Sequence, residues 1–222
     1  MTKVYGRSRE SVISWPVEVT AREVLARYLD RLSVEPATEL SEYSLLAADG
    51  IDFSGADLSG LELQEAAFNE ANLRNIRAVD ADMYREWLMS ANISFADLTR
   101  SDLRKVEGRG CDAANAVLHA ADMQGAVFED AFFRRADLHE ANLRDASFVG
   151  ADLRDADLRA CQFGWTDFSG CRFSGSIVAG AKGMVLGPID VGVEAPCILN
   201  GDELRSWFAA NGAPEVEVYQ AT

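Results

Sequence analysis

Ala151-Asp152-Leu153-Arg154-Asp155-Ala156-Asp157-Leu158-Arg159-Ala160 states one five-residue pattern twice: a small residue, an acid, a bulky apolar centre, then two polar or small positions. Moving outward in steps of five, the centres run unbroken from Phe53 to Val178. Of these 26 positions 23 are bulky and apolar, and only Ala78, Gly108 and Ala113 are not. Two residues before the centre, 21 of the 26 are Ala, Cys, Ser or Thr. The phase never slips. An α-helix has period 3.6 and a strand period 2, so neither accounts for it. A period of five requires a chain that turns a corner once per repeat, with the centre and the small residue pointing inward and three positions left for solvent.

Segments such as Ala56-Asp57-Leu58-Ser59-Gly60 and Ala71-Asn72-Leu73-Arg74-Asn75 resemble the A-(D/N)-L-x-x motif of the pentapeptide-repeat family, over about 130 of the 222 residues. The resemblance implies an all-β solenoid: a right-handed quadrilateral β-helix with four pentapeptides per coil and about six and a half coils. A single coil cannot bury enough surface to order its own backbone, so stability must belong to the array.

Open ends of such a stack would present unpaired backbone groups, so short α-helical caps are expected at both ends. Residues 1–50 are read as the N-terminal cap, 51–180 as the β-helix and 181–222 as the C-terminal cap. Thr20-Ala21-Arg22-Glu23 has the form of a capping box, opening a helix with Val24, Leu25, Tyr28, Leu29 and Leu32 on one face. A second short helix is expected from about Glu39 to Ala47, and Val12–Val19 reads as extended. At the other end, Asp202–Gly212 reads as a helix with a glycine stop, followed by an edge strand over Glu215–Tyr219.

The formal charge of −15 opposes direct binding to nucleic acid or an anionic membrane. No apolar run reaches the roughly 18 residues a transmembrane helix needs. The N-terminus lacks the apolar core of a signal peptide, so a cytoplasmic location is expected. Four cysteines without C-x-x-C spacing suggest neither a disulfide framework nor a zinc site. Cys111, Cys161 and Cys171 fall on the small inward position, where a thiol acts as a slightly larger alanine. His119 and His139 share one outward position on adjacent coils, close enough to touch one metal ion. Their column continues into Thr99 and Arg159, which add no ligand, so both read as surface histidines. No nucleophile stands beside a base and no phosphate loop is present. The expectation is a non-enzymatic chain with no cofactor and no metal.

Function must then lie on the outward positions. Glu62, Asp82, Asp102 and Asp122 form one vertical line; Asp57, Asp97, Asp137 and Asp157 form another, interrupted by Arg77 and Val117. Duplex DNA carries one charge per about 1.7 Å. Residues 51–103 hold ten acids and four bases, about one net charge per 2 Å at about 4.8 Å per coil. Residues 104–180 hold twelve acids and nine bases, so the density fades there. Asp and Asn at this position also hydrogen-bond local turns. Trp87, Met89, Phe95, Val127, Phe132 and Trp165 are apolar where the repeat predicts exposure, and Trp87, Met89 and Phe95 are candidate partner contacts.

Two irregularities stand out. Glu86 occupies an inward position, so either its turn deforms or it pairs, with Arg85 or Arg109 as partners. Val106–Ala113, with thin centres, is expected to kink or bulge.

Two functions follow as expectations. One is a protein-binding scaffold. The other, implied by the weaker resemblance to quinolone-resistance members, is a DNA-mimicking modulator or protector of DNA gyrase or topoisomerase. In the latter members a C-terminal helix pairs two chains; here Leu204, Trp207 and Phe208 are the candidate contacts of a homodimer.

Overall fold

The structure, a computed structural model, describes residues 5–34 and 45–219. One repeat shows how the sequence builds it. Asp57 accepts a hydrogen bond from the Ser59 N–H (3.1 Å), Leu61 N–H donates to the Leu58 carbonyl (3.2 Å), and between them Gly60 takes φ 68°. A positive φ at the third residue of a four-residue turn is the type II geometry. The same left-handed residue recurs at every fifth position from Gly50 to Gly180 without exception. Eighteen of these residues are not glycine, including Ala120, Ala160, Phe95 and Trp165. Each forgoes about 1 kcal/mol against an ordinary conformation, which the closed turn and the rung above it offset.

Between corners, each pentapeptide contributes one bridging residue, and bridges run parallel from residue i to i+20. Four lines result: Asp52–Asn72–Asn92, Asp57–Arg77–Asp97, Glu62–Asp82–Asp102 and Ala67–Trp87–Glu107, each continuing up the stack. Four pentapeptides therefore make one coil of a parallel β-helix. A pentapeptide is tied to the next coil by three backbone hydrogen bonds, as Leu58 N–H to Arg77 (2.7 Å), Gly60 N–H to Val79 (2.9 Å) and Arg77 N–H to Ala56 (2.9 Å) show. The ladder starts at Ala47 and reaches Lys182 and Asp190, slightly beyond the limits of the repeat phase.

The bore is filled by the centres, none of which is more than 3% exposed among its apolar members. Phe128, Phe148 and Phe168 stack one above another at 5.7 and 5.5 Å, and Phe133, Phe163 and Phe173 meet them edge-on. Several polar residues at the small position donate to backbone carbonyls. Ser101 Oγ donates to Leu98, Thr166 Oγ1 to Leu143, and the Cys161 and Cys171 thiols to Leu138 and Phe148.

No kink or bulge forms at Val106–Ala113. Bridges from Trp87 to Glu107 to Val127 and from Asn92 to Asp112 to Phe132 pass straight through. The reason is compensation one coil away: a Cβ placed on Gly108 would lie 2.4 Å from the Phe128 ring, so that ring fills the space Gly108 leaves.

At the N-terminal end, helix α1 (Val19–Leu32) packs Ala21, Leu25, Leu29 and Leu32 into the same apolar cluster as Phe53 and Leu58. Its capping residue is Glu18, which accepts from the Ala21 N–H (2.6 Å); the expected cap at Thr20 lies inside the helix. The Tyr28 hydroxyl donates to the Glu62 carbonyl (3.0 Å). Before α1 the chain is extended, as expected, with a 3-10 turn at Arg9–Ser11. Gly6 bridges Leu61 and Ser14 bridges Asp57, which pairs backbone groups of the first coil. The expected helix over 39–47 falls mostly outside the described residues; Ala47 itself bridges Ala67.

At the other end, β1 (Thr166–Asp167), β2 (Lys182–Leu186) and β5 (Glu215–Val218) form a parallel sheet in the order β1-β2-β5. β3 (Ile189–Asp190) and β4 (Ile198–Leu199) form an antiparallel pair. Helix α2 (Gly201–Ala210), capped by Asn200, precedes β5 and buries Leu204 and Phe208. Gly212 at φ 83° follows it, the glycine stop the sequence predicts.

Candidate functional site

The outward positions are where binding must occur, and their acids are largely engaged. Asp52, Asp57, Asp97, Asp102, Asp112, Asp137, Asp152, Asp157 and Asp167 each accept the N–H two residues on, fixing the turn. Many also hold arginines. Arg77 sits between Asp57 (3.4 Å) and Asp97 (3.5 Å), Arg104 between Asp102 and Asp122 (3.7 Å), and Arg159 is paired with Asp157.

The line Glu62–Asp82–Asp102–Asp122 is therefore not an open acidic ladder, and the expectation is corrected at its lower end. Glu62 and Asp82 are buried. The segment carrying Gly6 and Arg7 lies against them: Arg7 Nε is 3.2 Å from the Glu62 carboxylate, while Gln64 donates to Asp82. Burial outweighs the Arg7 charge and raises the Glu62 pKa, and burial likewise raises that of Asp82. Tyr5 of the same segment is pushed up to about 12, chiefly by burial and then by Asp82 and Asp102. The sequence signal for this covering was absent, because the segment lies outside the repeat. Asp122 keeps substantial exposure.

Both anticipated outcomes for Glu86 are overturned. Its turn keeps the register, with Trp87 bridging Ala67 and Glu107, and the side chain stays fully inside. Arg85 pairs instead with Glu65 (3.3 Å), and Arg109 with Glu107 and Glu129. Neither Glu86 carboxyl oxygen has a hydrogen-bond partner among the described residues. Burial, and then the Asp82 charge, raise its pKa well above the usual carboxylate range. Burial thus favours the neutral form of this carboxyl.

The apolar candidates are exposed as expected: Trp87 49%, Met89 41% and Phe95 46%. They do not form one continuous patch. Trp87 and Met89 lie on one pentapeptide, whereas Phe95 stands at the next corner with the Arg74 guanidinium 4.4 Å above its ring. Phe132 and Trp165 are also exposed, although Trp165 lies beside Tyr219 at 5.2 Å; Val127 is only half-buried.

The proposed dimer contacts require a correction. Leu204 and Phe208 are fully buried, Phe208 against Phe163 (6.3 Å), so neither can meet a second chain in this fold. Trp207 is half-buried and sits edge-on to Phe173 at 6.4 Å. The helix face expected to pair two chains instead closes the bore.

Cys111, Cys161 and Cys171 are buried and their thiols are pushed up by desolvation, as befits packing residues. Among the described residues no helix is long and apolar enough to cross a membrane.

Four bridge lines over a phenylalanine-filled bore define a β-solenoid built from five-residue units. Residues 48–83, 109–139 and 136–175 match the family described as pentapeptide repeats, in eight copies. No curated protein matches the chain. Among solved structures, it is similar to HetL, a pentapeptide repeat protein involved in heterocyst differentiation regulation from Nostoc sp. strain PCC 7120. That match has 21% identity, covers 65% of this chain and 78% of the other, and has a TM-score of 0.31. A pentapeptide repeat protein from the Arabidopsis thaliana thylakoid lumen matches at 21% identity, with 74% and 78% covered and a TM-score of 0.28. QnrB1, a plasmid-mediated fluoroquinolone resistance protein, matches at 14% identity, with 79% and 91% covered and a TM-score of 0.28.

Proposed function

We propose that this chain is a non-enzymatic binding scaffold: a right-handed quadrilateral β-helix, sealed by α1 and α2, that presents fixed side chains to a protein partner. The observation that carries the reading is the contrast on its outer surface. Acids are committed to turns and ion pairs, while Trp87 and Met89 stand exposed together on one pentapeptide. A large, rigid, amphipathic side chain such as Trp87 gives a partner contact at low entropic cost. Replacing Trp87 by alanine is expected to weaken capture of a cellular partner while leaving the thermal midpoint nearly unchanged; a large loss of stability would make Trp87 structural.

The reading as a DNA mimic acting on gyrase or topoisomerase draws less support. Its acidic line is covered at Glu62 and Asp82 and neutralised by Arg104 at Asp102. A supercoiling assay with and without ciprofloxacin separates the two readings, since a scaffold for another partner gives neither inhibition nor protection.

A further inference from the structure

We propose that His119, His139 and Glu140 form a binding site for a divalent transition-metal ion, zinc being the first candidate. The two histidines stand on successive rungs of one line. Arg100 N–H donates to the His119 carbonyl (2.9 Å) and Ala120 N–H to the His139 carbonyl (2.8 Å), so the backbone fixes both within one coil spacing. Val117 and Asp137 bridge just before them, and Asp137 accepts the His139 N–H (3.0 Å), locking its turn. The rings consequently lie side by side, tilted by 45°, with centroids 5.4 Å apart.

The third donor is supplied by the adjoining corner. Glu140 follows His139 and has Oε1 3.2 Å from His139 Nε2. One ligand atom from each of the three residues lies within 4.8 Å of the others. Ligands around tetrahedral zinc stand about 3.4 Å apart, given metal–ligand distances of roughly 2.0–2.2 Å. The required contraction is at most about 1.4 Å, within reach of side-chain rotation.

The surroundings favour occupancy. On the rungs directly above and below Glu140 stand Ala120 and Ala160, and Arg100, the cation one rung further along that column, is bound to Asp80. Arg159, the next residue in the histidine column, is drawn aside by Asp157, whose two carboxylate oxygens accept from its Nε at 2.9 Å each. Two imidazoles and one carboxylate form the donor set of many three-ligand zinc sites, leaving a fourth position for water or for a group from a partner. The five-residue pattern alone shows the histidine pair but hides Glu140, because it lies on a different column.

The test uses the full chain without an affinity tag, in a Cys197→Ser background that removes the one exposed thiol among the described residues. Calorimetric titration with zinc chloride should show one equivalent bound. His119→Ala, His139→Ala and Glu140→Ala should each weaken binding by about 10-fold or more, with unchanged thermal midpoints in the absence of metal. Zinc should also protect both histidines of the unmutated chain from diethyl pyrocarbonate. Absence of binding at submillimolar zinc, retention of affinity in any of the three variants, or unprotected histidines would overturn the assignment.

Discussion

Glu86 takes a position that other coils fill with Ala66, Val106, Ala126 and Ala146. Ser101, Thr166 and Cys161 at small positions return a hydrogen bond to a carbonyl, whereas the Glu86 carboxyl has none among the described residues and its burial disfavours the charged form. Replacing it by methionine of similar length is expected to stabilise the fold by about 1–3 kcal/mol at neutral pH, read as a higher thermal midpoint. The pH dependence has a definite sign. Above the usual carboxylate range the unfolded chain loses the Glu86 proton while the folded chain keeps it, so stability falls as pH rises. Glu62 and Asp82, also raised, act in the same direction. The advantage of Glu86→Met should therefore widen from acid to neutral pH in parallel melts; a constant difference would refute the neutral carboxyl. Gly108 is the opposite case, an absence that is filled. Gly108→Ala should cost about 1–3 kcal/mol because its methyl meets the Phe128 ring, and an unchanged denaturation midpoint would show that the ring moves freely.

At the scale of elements, the inward pattern of the repeat and the flanking helices α1 and α2 were legible, whereas the corner conformations and the packing of the flanks were not. Phase alone gives the inward residues, since each centre and small residue between Phe53 and Val178 follows one rule. The left-handed corners were hidden because Ala120, Phe95 or Arg135 carries no glycine signal. There the conformation is imposed by the rungs above and below. Burial of Glu62 and Asp82 was equally hidden, as it depends on residues 5–14 crossing the first coil. Helix α2 shows the same limit: its apolar face was readable, but whether it met another chain or its own bore was not. Phe208→Ala should cost about 3–5 kcal/mol. Trp207→Ala, on the half-buried side, should leave the molar mass by light scattering unchanged; a fall in mass would restore a dimer through this helix.

For the whole molecule, the proposed binding residues lie apart from those that fill the bore. Centres and small residues fill the bore, while Trp87, Met89 and the histidine pair stand outside it. Outward substitutions at Trp87 should change stability by only about 0.5 kcal/mol, as checked by chemical denaturation. A loss several times larger would mean the outer surface also holds the coils together.

The twenty-residue rung makes residue number a coordinate: the quotient by twenty gives height and the remainder gives compass bearing. Editing the chain is then a screw operation. Excising twenty residues, 131–150, should lower the upper part by one thread and leave every bearing intact, giving a shorter protein that still melts cooperatively. Excising only five, 131–135, preserves every inward position yet turns everything downstream by a quarter circle. Phe148 and Phe168 would then no longer stand over Phe128. Thermal melts of the two deletions should therefore rank against length, with the smaller excision the more disruptive to that phenylalanine column.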